Sequence, residues 1–187
     1  MARALSGGFA LLAALALPGA RAHAEELSIC YNYGCQARAP VDYAEAELEG
    51  LRRLLAAAED AAAERAAISL VIGRMYAIAG AQTPVWRDKG GNYADGGENG
   101  RMDCIDHTTN TDAFLRLLQA RGWIRFHEVS EPVMRSQFLF FEHWAARIRD
   151  VAARRDYAVD SWFLDNGKPA LVLPLEDWYA YRTPRVQ

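Results

Sequence analysis

The sequence has no excess of positive charge and no cluster of lysines and arginines. Its 187 residues include 21 Lys and Arg against 24 Asp and Glu, which gives a formal net charge of −3 at pH 7. Proteins that bind nucleic acids neutralise phosphates with clustered basic side chains. We therefore expect no nucleic-acid partner.

Long apolar runs are also missing. The run Phe9–Leu17 is shorter than the roughly 20 residues that a helix needs to cross a bilayer. It follows Arg3 and precedes a helix-breaking Pro-Gly pair and the small-residue triplet 22–24. This order predicts a cleavable secretory signal peptide over Met1–Ala24, with a retained N-terminal helix as the alternative. The remaining residues, 25–187, fit one exported domain without a membrane span, periplasmic in a Gram-negative cell.

Cysteine is scarce, and all three cysteines follow the predicted signal peptide. Outside the cytoplasm cysteines tend to pair, so an odd number leaves one thiol over. Cys30 and Cys35 lie five positions apart, and Asn32 and Gly34 between them allow a turn that brings the sulfurs together. We predict a Cys30–Cys35 disulfide and a free thiol at Cys104.

Histidine is equally scarce, and His107, His127 and His143 are the three that follow the predicted signal peptide. A nucleophilic thiol needs a base, most often histidine, and an acid or amide that orients this base. These three histidines are therefore the candidates for the base that activates Cys104.

Helical periodicity dominates the chain from Val41 to about Gly80. Apolar residues recur there at helical spacing, and we predict two helices or one long helix with a break near Asp60. Glycine, asparagine and aspartate then fill Gln82–Met102, which predicts a long loop that two aromatic residues help to order.

Asp103 predicts the N-cap of a helix that begins at Cys104 and stops at Gly122. The thiol would then lie at a helix N-terminus, where the helix dipole and the free N–H groups favour a thiolate.

Three strands are predicted after this helix: 123–129, 157–163 and 170–173, the last two joined by a turn at Asp165–Lys168. The segment Phe138–Arg155 fits either a strand or a helix by its pattern.

Four short motifs carry a family resemblance: Asp103–Asp106 at a helix start, Gly122–Arg125, His143-Trp144 and Tyr157–Asp160. Together they resemble the core of the transglutaminase-like superfamily of papain-like cysteine enzymes, with spacings similar to those of the bacterial transglutaminase-like cysteine proteinases. The resemblance implies an α+β, papain-like fold, in which N-terminal helices precede a Cys-bearing helix packed on an antiparallel sheet. It also implies that the segment around His143 is a strand.

The resemblance further implies a catalytic triad of Cys104, His143 and Asp160. His143 would take the thiol proton, Asp160 would orient the imidazole, and Cys104 would attack an amide carbonyl of a peptide or protein to form a thioester. Water resolves the thioester in a hydrolase, and an amine resolves it in a transferase. The Cys104 N–H would supply one oxyanion donor, and no cofactor is required. His107, on the same helical face as Cys104, is the reserve base.

Two features depart from the proteinase relatives. Ile105 stands where they carry an acidic residue, and the hairpin connection between Ile148 and Tyr157 contains neither glycine nor proline. We therefore expect amide-bond chemistry without assigning a protease specificity.

A calcium site is a second hypothesis. Asp95, Asn99, Asp103 and Asp106 occupy positions 1, 5, 9 and 12 of a loop similar to an EF-hand loop, with Gly100 at position 6. Calcium bound there would order the loop beside the thiol.

A third hypothesis is a non-catalytic extracytoplasmic binding protein with a degenerate papain-like fold. Five aromatic residues could line a ligand groove, although aromatic residues more often fill a core. They are Trp86, Tyr93, Trp123, Trp144 and Trp162.

Overall fold

The computed structural model describes residues 23–137 and 141–182. The signal peptide predicted over Met1–Ala24 lies outside this part of the chain except for its last two positions, which begin the first strand. Among the described helices, none combines the length and the apolarity that crossing a bilayer requires.

The elements alternate between helices and short runs of strands. In chain order they are β1 (His23–Tyr31), β2 (Ala37–Ala44), α1 (Glu45–Ala56), α2 (Ala61–Gln82), a short 3-10 helix (Pro84–Arg87), α3 (Cys104–Ala120), β3 (His127–Gln137), β4 (Phe141–Asp150), β5 (Arg155–Asp160), β6 (Leu171–Pro174) and α4 (Leu175–Tyr179).

Two antiparallel sheets organise these elements. β1 pairs with β2, and β3 to β6 form a four-stranded sheet in sequential order. The predicted α+β class is confirmed.

The main core lies between the helices and one face of the four-stranded sheet. Leu48 of α1, Ile72 of α2, Phe114 of α3 and Ile148 of β4 are all fully buried in it. Each such side chain contributes about 1.5–3 kcal/mol through burial. A smaller cluster covers the other face of the sheet, where α4 packs. Its members are Val133, Ala145, Ala158 and Trp178.

The predicted helix break at Asp60 is confirmed, because its side chain accepts the Ala63 N–H at 2.7 Å and caps α2. The predicted helical start at Val41 is wrong. Val41 pairs with Leu27 in the two-stranded sheet, and α1 begins only at Glu45.

The strand predicted over 123–129 is wrong at its beginning, since β3 starts at His127. The backbone N–H groups of Arg125 and Phe126 donate to the carboxylate of Glu64 at 2.7 and 2.9 Å instead of to a neighbouring strand. A buried acid that is distant in sequence therefore binds the backbone of Arg125 and Phe126.

The strand predicted over 157–163 instead spans Arg155–Asp160. It stops because Asp160 Oδ1 accepts the N–H of Trp162 at 3.2 Å, which bends the chain. The predicted hairpin is confirmed, as β5 pairs with β6 and the Lys168 N–H donates to the Asp165 carbonyl at 3.0 Å.

The ambiguous segment Phe138–Arg155 contains β4, a turn and the first residue of β5; positions 138–140 lie outside the described residues. The turn is shorter than the predicted connection. It closes without glycine because Arg154 adopts a φ of 54° and Asp150 Oδ1 accepts the Ala153 N–H at 2.8 Å.

Candidate functional site

The thiol of Cys104 lies at the start of α3, as predicted. Asp103 Oδ1 accepts the N–H groups of Ile105 and Asp106 at 3.0 and 2.9 Å, and Asp106 Oδ2 accepts the Asp103 N–H at 3.1 Å. This reciprocal capping box uses the other amides of the first turn. Within the described residues, no hydrogen bond uses the N–H of Cys104 itself.

The predicted disulfide between Cys30 and Cys35 is present, with the two Cα atoms 4.8 Å apart. The loop that it closes runs through left-handed backbone at four residues, Asn32, Tyr33, Gly34 and Cys35. Such a run presents successive backbone N–H groups on one side of the chain. The disulfide therefore closes a loop rich in available donors.

The backbone N–H groups of the disulfide loop donate hydrogen bonds to acids at the start of α3. The Gly34 N–H donates to Asp103 Oδ2 at 3.0 Å, and the Cys35 N–H donates to Asp106 Oδ1 at 2.6 Å. Burial raises the pKa of Asp106 to about 6, against the opposing effect of its bond from Cys35. The disulfide loop thus fixes both acids that flank Cys104.

His143 lies beside this thiol on β4. Cys104 Sγ lies 3.8 Å from the carbonyl oxygen of Glu142, the residue before His143, and the thiol is close enough to influence the pKa of the imidazole. His143 Nε2–H donates to Asp160 Oδ2 at 2.7 Å, while Nδ1 is buried and has no hydrogen-bond partner among the described residues. Nδ1 is thus the ring nitrogen open to the thiol, and the structure brings all three predicted triad residues together.

Asp160 is 2 % exposed and is held by three donors. Besides His143, the indole Nε1–H of Trp178 donates to Oδ2 at 2.8 Å, and the Trp162 N–H donates to Oδ1 at 3.2 Å. Our sequence reasoning missed Trp178, which lies in α4 beyond the resembling region. The available signal was general: a buried indole N–H needs an acceptor.

Aromatic rings surround the His143 imidazole. The ring centroids of Trp162, Phe163 and Trp178 lie 5.0, 5.4 and 5.8 Å from that of His143. Tyr93 stacks on Trp162 at 4.6 Å and so brings the glycine-rich loop to the site. The imidazole is therefore shielded from water on the side away from the thiol.

The predicted aromatic groove is only partly assembled. Tyr93 and Trp162 meet beside His143. Trp144 lies on the opposite face of β4, in the lining of a separate groove. Trp86 and Trp123 contact neighbouring arginines instead.

The charge state of His143 is shifted by its partners. Burial alone would lower the pKa of the imidazole, but the hydrogen bonds and negative charges of Asp160 and Cys104 outweigh burial and raise it to about 9. His143 therefore carries a proton at neutral pH, and a protonated imidazole beside a thiol favours the thiolate.

Arg135 was also missed by sequence reasoning. It lies opposite His143 in the β3–β4 register and is 7 % exposed. Its guanidinium lies 4.4 Å from the Trp178 ring centroid and 4.3 Å from that of Tyr181, and it donates to the Trp178 carbonyl. Arg135 thus fixes the indole that holds Asp160.

His107 belongs to a different, buried network. Its Nε2 lies 2.9 Å from Asp88 Oδ2 and its Nδ1 lies 2.8 Å from Ser161 Oγ, so both ring nitrogens are engaged. Asp88 Oδ1 accepts the Met102 N–H at 2.8 Å and joins the two ends of the glycine-rich loop. His143 is thus the histidine that lies beside Cys104, and His107 ties the loop to α3.

The residues of the predicted calcium site have separate protein partners. Asp95 accepts the hydroxyl of Tyr33 at 2.6 Å and pairs with Arg101 at 2.9 Å. Asn99 Oδ1 accepts from the side chain of Asn32 at 3.2 Å. Calcium binding stays a prediction.

The other two predicted calcium ligands, Asp103 and Asp106, form the capping box of α3. Among the described residues, one group of metal-ligating atoms lies within 4.8 Å of one another, and it contains Cys30, Cys35 and Asp106. Both sulfurs of this group belong to the disulfide.

Comparison with known proteins finds no matching family model, no matching curated protein and no matching solved structure.

Proposed function

We propose that this protein is an exported cysteine hydrolase or acyltransferase with a transglutaminase-like core, acting on an amide or peptide bond. One observation carries the proposal: the Cys104 thiol at a helix start faces an imidazole whose other nitrogen donates to the buried carboxylate of Asp160 at 2.7 Å. A nucleophile, a base and an orienting group in this order are the requirements of covalent acyl transfer.

In the first step the Cys104 thiolate attacks the carbonyl carbon of the amide. The C=O electron pair moves to the oxygen and a tetrahedral intermediate forms. His143, protonated at neutral pH, then donates its proton to the leaving nitrogen as the C–N bond breaks. The products are a thioester on Cys104 and a free amine.

In the second step neutral His143 accepts a proton from water or from an acceptor amine. The resulting nucleophile attacks the thioester, and Cys104 leaves as the thiolate with His143 again protonated. Asp160 holds one imidazole orientation through both steps, because its carboxylate is itself held by Trp178 and Trp162.

The oxyanion of each tetrahedral intermediate requires donors that are already in place. The Cys104 N–H suits this role, since Asp103 takes the N–H groups of Ile105 and Asp106 and leaves that of Cys104 available. The positive end of the α3 dipole adds to the stabilisation.

The disulfide supports the proposed export. Bonds such as Cys30–Cys35 persist in oxidising compartments and are rare in the cytosol. The same bond leaves Cys104 as the free thiol of the three cysteines in the sequence. A cysteine-directed reagent will therefore report on one residue.

The proposal is tested by mass spectrometry of the protein from residue 25 onward, treated with a peptidyl acyloxymethyl ketone. We expect one covalent adduct on Cys104 in the wild type, none in Cys104→Ala, and labelling slowed at least about tenfold in His143→Ala. Equal labelling of wild type and His143→Ala would contradict the base role. Trp86→Phe, at a residue 61 % exposed, is the matched control and should label like the wild type.

A further inference from the structure

A groove of about 640 Å³ runs between α3 and the β3–β4 hairpin, and we call it the α3–β4 groove. Five of its lining residues matter here: Ile105, Asp112, Glu131, Glu142 and Trp144. Ile105 directly follows Cys104 in α3, and the Glu142 carbonyl oxygen lies 3.8 Å from Cys104 Sγ. An extended chain lying in the groove would thus reach the nucleophile.

Part of the lining of the groove is apolar. Ile105 is 44 % exposed, and Trp144 belongs to the same lining. Ligand sites typically combine an apolar lining with a few polar groups. The groove can therefore bury one apolar side chain of a bound peptide.

The rim of the groove is acidic. Asp112, Glu131 and Glu142 contribute three carboxylates, and Arg116 compensates part of this charge through contacts of 2.7 Å to Asp112 and 3.2 Å to Glu131. Among the described residues, no cation forms an ion pair with Glu142, whose backbone carbonyl oxygen lies 3.8 Å from Cys104 Sγ. The groove keeps a net negative charge.

From this combination we propose that the α3–β4 groove binds an extended peptide that places an apolar side chain over Ile105 and Trp144 and a lysine or arginine beside Glu142. The proposal rests on the proposed function and adds the substrate class. A carboxylate in that position would meet the uncompensated charge of Glu142 and be disfavoured. The favoured substrates are thus basic peptides or basic segments of exported proteins.

The test compares two acyloxymethyl ketone probes that differ only in having lysine or norleucine at one position, since norleucine keeps the shape of the lysine chain without its ammonium. We expect wild-type Cys104 to react about tenfold faster with the lysine probe at low salt, which corresponds to about 1.4 kcal/mol. The preference should shrink at high salt, where charges are screened.

Variants locate the origin of the preference. Glu142→Gln should bring the lysine-to-norleucine rate ratio close to one, whereas Glu128→Gln, an exposed acid at the far end of β3, should keep the wild-type ratio. Equal rates with both probes in the wild type, or an unchanged ratio in Glu142→Gln, would overturn the proposed groove specificity. Failure of both probes to label Cys104 would instead overturn the proposed function.

Discussion

His143 Nε2 lies 2.7 Å from Asp160 Oδ2, and the same oxygen accepts the indole N–H of Trp178 at 2.8 Å. The carboxylate is therefore fixed from two elements, β4 and α4, before any substrate arrives. A shared acceptor of this kind couples the orientation of the imidazole to the packing of the Trp178 indole, which contacts His143 on the α4 side of the sheet.

Replacing Asp160 with asparagine should lower amide turnover by roughly 10³–10⁴-fold, because the amide cannot hold and stabilise the charged imidazole as the carboxylate does. The amide oxygen can still accept from Trp178, so we expect the circular dichroism spectrum to stay native. Turnover of a basic peptide substrate is the measurement. An Asp160→Asn variant as active as the wild type would remove Asp160 from the mechanism.

Trp178→Phe keeps an aromatic ring beneath His143 but removes the indole donor to Asp160. Losing a hydrogen bond to a buried carboxylate costs about 1.5–3 kcal/mol, so the free energy of unfolding should fall by that amount in urea titration. Labelling of Cys104 should slow in parallel. The exposed Trp86→Phe variant should change neither quantity, and identical behaviour of the two variants would show that the indole N–H is not used.

Much of the local structure around Cys104 could be predicted because its signals are local. Asp103 caps the helix with groups two and three residues away, and Cys30 and Cys35 are bridged across a five-residue separation. His143 and Asp160 were implied by the family resemblance, and they lie on adjacent strands of one hairpin.

The features of the fold and of the site that could not be predicted depend on contacts between residues far apart in sequence. Glu64 captures the backbone of Arg125 and Phe126 across about sixty residues and so shortens β3 at its start. Trp178 and Arg135 join the site from elements whose own sequences carry no catalytic pattern. No periodicity within a single segment encodes such partners.

The sequence of the β4 segment also did not decide its own secondary structure. Its alanine and arginine content suits a helix as well as a strand, and pairing on both sides decided the outcome. This pairing places His143 and Trp144 on opposite faces of β4, His143 beside Asp160 and Trp144 in the α3–β4 groove.

Protonation of His143 should persist above neutral pH. Burial lowers the pKa of the imidazole, but the hydrogen bonds and charges of Asp160 and Cys104 raise it from 6.5 to about 9. An NMR titration of the His143 ring should therefore show a midpoint near pH 9 in the wild type and a lower midpoint in Asp160→Asn. A wild-type midpoint near pH 6.5 would contradict the shift.

Breaking the disulfide should lower the reactivity of the Cys104 thiol, because the disulfide loop holds the first turn of α3. The bond closes a short loop, so its loss should cost about 2 kcal/mol of unfolding free energy. The Gly34 and Cys35 amides would no longer be held against Asp103 and Asp106. We therefore expect a Cys30→Ser, Cys35→Ser double variant to label more slowly at Cys104. Unchanged labelling with reduced stability would confine the disulfide to a structural role.

The most direct test of the account is the pH dependence of Cys104 alkylation by iodoacetamide, followed by intact mass from pH 5 to pH 10. Because a protonated imidazole lies beside the thiol, wild-type Cys104 should be alkylated faster than Cys104 of His143→Gln across the acidic and neutral part of this range. Coincident profiles for the two proteins would contradict a functional pair between Cys104 and His143.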